Sequence, residues 1–351
     1  MPAARDAGQA GAGTQIGFRA YLWQFRAGVI AVAAAEAAGT AGFGLGDGSI
    51  ALRPFDEPEA ASTRRLIVHP DAALLCMAAA PGGMGFVSGG DDGRLMQTTV
   101  AGEGQELANV PRKWIEHVAV ADNGSATAYA AGKKLGLLDA AGKPVATFED
   151  HPSTISGLAF NPKGKRLVAA HYGGVSLWWA KAEAQQPKRL AWKGSHVAVT
   201  WSPDGKFIMT ATQENELHGW RLADSADMRM SGYPAKPKSF SWSRDGRWLA
   251  TSGAEVVVVW DCKGKGPMGS APVELSRGAP VTVVAFHPRH GLVASGHDNG
   301  QLKLGRISDG SSIDLERLGD APVTALGWTS DGRYLMAGAE DGAAAILDFG
   351  K

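Results

Sequence analysis

Hydrophobic and polar positions alternate along this chain in short runs, and each run closes on a large side chain followed by a polar turn. ISGLAF precedes Asn161, VAVTW precedes Ser202, KSFSW precedes Ser243, VTVVAF precedes His287 and VTALGW precedes Thr329. A period of two puts every second side chain on one face of an extended backbone, so each run predicts a half-buried strand. The turns that follow read Asn161-Pro-Lys-Gly, Ser202-Pro-Asp-Gly, Ser243-Arg-Asp-Gly, His287-Pro-Arg-His and Ser330-Asp-Gly. Ser or Asn caps such a turn, Pro presets φ at its second position, and Gly accepts the positive φ that reverses the chain. Strands joined so tightly form antiparallel hairpins. A third strand follows, as in Val175-Ser-Leu-Trp-Trp, Leu217-His-Gly-Trp, Val256 to Trp260 and Leu302-Lys-Leu. It is entered through a second tight turn such as Asp298-Asn-Gly or Asp341-Gly.

The same order recurs in weaker form at Val29 to Phe55, Leu74 to Val100 and Ile115 to Ala140. Units therefore open at Val29, Leu74, Ile115, Ile155, Val197, Lys238, Val281 and Val323, a spacing of 40 to 45 residues. A repeat of that length, with four short strands labelled a to d, predicts one sheet per unit, set side by side as the blades of a propeller. No stretch offers sustained helical periodicity. The first unit, VIAVAAAEAAGTAGFGLG, has the fewest large side chains. Glu36 interrupts it, its apolar run is far below the ~20 residues a membrane span needs, and no basic region or cleavage site frames it as a secretory signal. It reads as a blade whose small residues suit the crowded axis.

These units resemble the WD-repeat family of β-propellers over about Tyr21 to Phe349, as a divergent, bacterial-type member. The dipeptide that names the family stands at Trp260-Asp261, with Trp178-Trp179, Trp220-Arg221 and Leu347-Asp348 as variants. The resemblance implies a tetrad in each blade: a His before strand a, a Ser or Thr in strand b, an Asp in the b–c turn and the Trp. That set reads as broken in every unit. Tyr172 stands where the blade of His151 would supply Asp, and Asp47, Asp92 and Asp341 lack a matching His or Trp. Packing between sheets is then expected to carry most of the stability. The resemblance also implies that the last blade takes its fourth strand from the N-terminus, which removes an open sheet edge. Tyr21 to Phe25 is expected to pair with the strand near Ala344 to Phe349. The expected fold is all-β: a closed β-propeller of WD-repeat type with eight four-stranded blades, seven being the alternative count. One domain over 14–351 follows a flexible tail at 1–13.

Composition narrows the function. Thirty-five basic residues balance thirty-five acidic ones, so no overall field draws nucleic acid or an anionic membrane to the chain. Cys76 and Cys262 fall in distant units and read as free thiols of a reducing, cytoplasmic compartment. There is no Gly-x-Ser-x-Gly elbow, no phosphate-cradling loop with Lys-Ser/Thr, no Cys-x-x-Cys and no His-Glu-x-x-His. No catalytic residue and no cofactor is assigned.

Histidine placement is the most suggestive chemistry. By the family's topology the d–a links and b–c turns share one face, called the top. His69, His151, His171, His196 and His297 map near it, His117 lies just below, and His287 and His290 fall on the opposite rim. Imidazoles are good zinc ligands, but blades fan outward from an axis, which spreads these side chains beyond shared coordination. No metal ligands are assigned.

The function implied by the resemblance is a non-enzymatic, monomeric scaffold that docks a partner protein or peptide on the top face. Trp114, His171, His196, Glu214, His297 and Asp341 are the expected contact residues. Trp114 is the expected anchor, because interface centres favour Trp. The alternative is a propeller that binds a metal or small molecule, of hydrolase or lactonase type or serving metal homeostasis.

Overall fold

The capped turns form as their sequence predicts. Ser202 Oγ donates to Asp204 Oδ1 at 2.7 Å and accepts the Phe207 amide at 2.9 Å. Ser243 with Asp245 and Trp248, and Thr329 with Asp331 and Tyr334, repeat that geometry. Gly205, Gly246 and Gly332 reverse the chain at φ 74, 71 and 73°.

The computed structural model of the chain describes residues 4–7, 17–59, 63–181 and 184–350. Among the described residues the helical pieces are the short 3-10 turns Glu36–Ala38 and Pro81–Gly83, and the rest of the regular structure is antiparallel sheet. No helix among them is long and apolar enough to cross a membrane. The doubtful first unit forms a sheet of Val29–Ala35, Thr40–Leu45, Ser49–Pro54 and Arg64–Ile67. Equivalent meanders run from Leu74–Ala79 to Gly104–Asn109, His117–Val120 to Pro144–Phe148, Phe240–Trp242 to Val273–Leu275, and Val281–Phe286 to Ser312–Arg317.

The last sheet begins with Val323–Trp328, Tyr334–Ala339 and Ala343–Asp348, and its fourth strand is Phe18–Gln24. The predicted pairing is present: Tyr21 faces Ile346 and Trp23 faces Ala344, and the Phe25 amide donates to Gly342 O at 2.9 Å. Within the expected tail, Ala4–Ala7 forms a fifth strand against Phe18–Tyr21. An outermost strand presents unpaired backbone groups, and a second extended segment satisfies them. The other residues of that tail lie outside the described residues.

The strands divide into seven sheets, where the sequence led to eight separate four-stranded ones. The difference falls at Gly157–Phe160, Arg166–Trp179, Lys188–Trp201, Phe207–Thr212, Leu217–Arg221 and Ala226–Met230, which share one six-stranded sheet. Two of these segments are 14 residues long. Gly157–Phe160 pairs with the first half of Arg166–Trp179, and Lys188–Ala191 pairs with the second half. Between the halves Gly173 and Gly174 take φ 86 and 131°, and the Ala180 amide returns to Lys165 O at 2.9 Å. Lys188–Trp201 similarly ends against Ile208–Thr212. Backbone pairing of Tyr172 with Ser195 bridges the joint and makes the sheet continuous.

Apolar clusters sit between consecutive units. Ile50 and Leu52 meet Leu74 and Phe86; Val168 and Leu177 meet Ile208 and Trp220; Phe207 and Met209 meet Leu249 and Trp260. The last unit packs on the first through Tyr334, Met336 and Ile346 against Val29 and Phe43. Hydroxyls on the a strands reinforce these joints. Thr282 Oγ1 donates to Val323 O at 2.6 Å, Thr324 Oγ1 to Val29 O at 2.5 Å, and Ser156 Oγ to His196 O.

Candidate docking face

Each a strand begins at the same end of its sheet, where the d–a links and b–c turns also lie, and the histidines expected there are buried. His171 donates from Nδ1 to Tyr172 O at 2.8 Å and accepts from Ser176 Oγ at 2.9 Å. His196 bonds Thr210 Oγ1 at 2.7 Å and Trp192 O at 3.2 Å. His297 donates from Nδ1 to Ala279 O at 2.6 Å, leaving Nε2 to accept from Ser295 Oγ at 3.1 Å. Both nitrogens of each ring are engaged inside the protein. Burial penalises the charged form, so His171, His196 and His297 sit below the ordinary imidazole value.

The tetrad is less broken than the sequence reading held. His69 Nδ1 contacts Asp92 Oδ2 at 3.1 Å and its Nε2 contacts Ser88 Oγ at 3.0 Å, so Asp92 does have a matching His. Trp178 Nε1 donates to His151 Nε2 at 3.0 Å, which fixes the His151 proton on Nδ1 toward Lys133 O at 2.9 Å. At Trp260 a Tyr takes the place of His: Trp260 Nε1 donates to Tyr233 OH, which contacts Thr251 Oγ1, each at 2.7 Å. The His69 and Tyr233 bonds hold each link to the b strand that follows it, while His151 joins the b–c turn of the third unit at Lys133 to Trp178 of the fourth. Among the described residues no three His, Cys, Asp or Glu side chains stand together as a metal site.

The other expected contacts are exposed. Trp114 is 59% exposed, and Tyr172, which is outside the expected set, is 62% exposed. Glu214 occupies the turn before Leu217–Arg221. Asp341 occupies the turn before Ala343–Asp348, with Oδ1 accepting the Ala343 amide at 3.0 Å.

The same face carries a depression that single residues did not signal. A pocket of about 700 Å³ opens where Pro280 and Pro322 lead into their a strands, with Thr282, Thr324 and Val323 below and Lys236, Lys238, Glu255 and Glu340 around it. A second pocket of about 500 Å³, lined by Tyr233, Trp260, Pro272 and Arg277, shares Pro234, Ala254 and Glu255 with the first. The two pockets therefore adjoin, and the second is lined by Tyr233 and by residues of the Phe240–Leu275 sheet such as Val258, Trp260 and Glu274. Prolines keep the rim stiff, and a stiff rim loses little entropy when a ligand settles. The signal available in the sequence was the equivalent position of Pro280 and Pro322 in consecutive units.

Meandering sheets packed side by side, with their a strands adjacent and a groove at one end, define a β-propeller. Residues 284–351 match the family described as Anaphase-promoting complex subunit 4 WD40 domain, and residues 142–178 match WD domain, G-beta repeat. With the fold, these matches support a WD-repeat β-propeller family for the chain. The crystal structure of the computationally designed Ika8 protein is similar, with a TM-score of 0.75 at 18% identity over 93% of this chain and 97% of that one. The crystal structure of RRP9 WD40 repeats is similar with a TM-score of 0.61 at 17% identity, over 79% of this chain and 94% of that one. Among curated proteins no match is found.

Proposed function

We propose that this chain is a non-enzymatic interaction scaffold whose top-face groove holds an extended segment of a partner protein. The observation that carries the reading is the pair of adjoining pockets between Pro322 and Arg277, whose lining includes Lys236, Lys238, Glu255 and Glu340. Among the described residues the side chains of Lys236, Lys238, Glu255 and Glu340 make no ion pair, which leaves both signs of charge free to set the register of a ligand. Trp114, Tyr172, Glu214 and Asp341 extend the surface around the same face. We read the six-stranded sheet as two blades fused at Tyr172 and Ser195, giving eight blades in a closed ring. Apolar clusters between each pair of consecutive units, and the one between last and first, support that count. Net neutrality and two unpaired thiols support a cytoplasmic monomer with no nucleic-acid or membrane partner.

Site-specific photocrosslinking tests the groove. A photoreactive residue at Lys238 is expected to capture a partner in the native host, and the same probe at Arg289 on the opposite rim is not. Charge reversal at Lys238 and Glu340 together should abolish capture with an unchanged melting temperature. Equal capture from both faces would reject the docking assignment.

A further inference from the structure

The joint between the fourth and fifth units holds an imidazole that no neighbour satisfies. His218, on Leu217–Arg221, is fully buried, and neither Nδ1 nor Nε2 has a hydrogen-bond partner. Buried polar groups nearly always find partners, so an unmet ring donor calls for a physical role. Trp192 covers it, with the two rings stacked at 3.9 Å and 13°. Trp220 meets the imidazole edge-on at 4.7 Å, and His196 lies at 6.4 Å. His196 also bonds the Trp192 carbonyl. One tryptophan thus rests on two imidazoles, by its ring on His218 and by its backbone on His196.

The charges around the ring do not favour an imidazolium. Asp227 Oδ2 stands 3.8 Å from His218 Nε2 and is largely solvated. Arg229 opposes it from the same strand, although it is engaged by Glu216 at 2.6 Å. His196 opposes it as well, Glu214 lies against Gly194, and Lys193 follows Trp192 in the chain. Burial outweighs Asp227 and pushes His218 down to about 4.

We propose that Ala191–Ser195 is a proton-operated latch: neutral His218 keeps Trp192 closed over it, and charging His218 releases Trp192. An imidazolium needs water at both N–H groups. Trp220 belongs to the paired Leu217–Arg221 strand, whereas Trp192 sits where the register shifts between Tyr172 and Gly174, so Trp192 is the cover that moves at least cost. Tyr172 pairs with Ser195 at the same joint, so release also loosens the exposed Tyr172. The effect on docking rests on the scaffold reading; the latch does not.

Amide exchange of residues 190–196 in the full chain, corrected for intrinsic rates, tests the latch. An open ring titrating at the ordinary 6.5 and a closed one at about 4 raise the opening equilibrium about twentyfold from pH 7 to pH 5. His218→Phe fills the site without a titrating group and should cut that rise to about twofold or less. Should that variant not fold, His218→Gln, neutral at both pH values, serves instead. Asp227→Asn removes the favouring charge and should move the midpoint to lower pH. Unchanged exchange in the native chain, an equal rise in the His218 variant, or a midpoint moved upward by Asp227→Asn would each overturn the proposal.

Discussion

Thr324 and Val29, 295 positions apart, are joined by a hydrogen bond from Thr324 Oγ1 to Val29 O at 2.5 Å. The hydroxyl also lies 3.2 Å from Gly338 O, so one side chain ties its own b strand to the a strand of the first unit. Thr324→Val keeps the shape and removes the donor, and should cost about 0.5–1.5 kcal/mol in denaturant unfolding. A loss below about 0.5 kcal/mol, the range of ordinary surface changes, would mean the apolar cluster alone holds that joint.

Truncation separates the two N-terminal strands. Deleting residues 1–13 removes Ala4–Ala7, four residues on an outer edge, and should leave the melting temperature nearly unchanged. Deleting 1–25 removes Phe18–Gln24 with its pairing to Ala343–Asp348 and buried Ala20 and Tyr21. That variant should melt far lower or fail to fold. Equal melting of both would contradict the structural role of Phe18–Gln24.

Tyr233→Phe leaves Trp260 Nε1 without its acceptor and removes one of the two partners of Thr251 Oγ1, in a largely buried site. Loss of a partner for a buried donor should cost about 1–3 kcal/mol. Adding Trp260→Phe should then cost less than it does alone, because the two share one bond. Simple additivity of the two changes would show that the bond carries no coupling.

Acid should weaken the fold through its buried histidines. Burial lowers His151 and His218 to about 4, and lowers His117, His171, His196, His287 and His297 as well. Folded values below the ordinary 6.5 mean that the unfolded chain binds more protons there. Their contribution is complete above pH 6.5 and is lost as pH falls from 6.5 toward 4, by at most about 1.4 kcal/mol per pH unit for each group. Melting temperature should be level from pH 7 to 8 and decline below 6.5. A double change of His151 and His218 to Gln should flatten the decline; an unaltered slope would assign it to carboxylates.

The strand order was legible because turn chemistry and alternation are local: Ser202, Asp204 and Gly205 announce their hairpin wherever they stand. Phe18–Gln24 was legible for the opposite reason, since a three-stranded last unit leaves an edge to be covered. The contact surface was harder to read. His171, His196 and His297 lie near the right face, but sequence position does not reveal that each ring turns inward to a hydroxyl and a carbonyl. The pairing of His69 with Asp92 is hidden in the sequence because the third strand of that unit, Arg94–Thr99, has no Trp to complete the set. Tyr233 went unnoticed because it does a histidine's work with a different side chain. The groove was invisible because Pro280, Pro322, Lys238 and Glu340 converge only when three units stand side by side.

Pairing of Tyr172 with Ser195 merges the fourth and fifth units into one sheet, whereas other seams are crossed by isolated main-chain bonds, from Ile115 N to Gly90 O at 3.0 Å, Ile155 N to Gly132 O at 2.9 Å and Val281 N to Ala254 O at 2.8 Å. Fragments cleaved near Gln185 should stay together as a stitched pair, because Val175–Leu177 remains paired with Lys188–Leu190 across the cut.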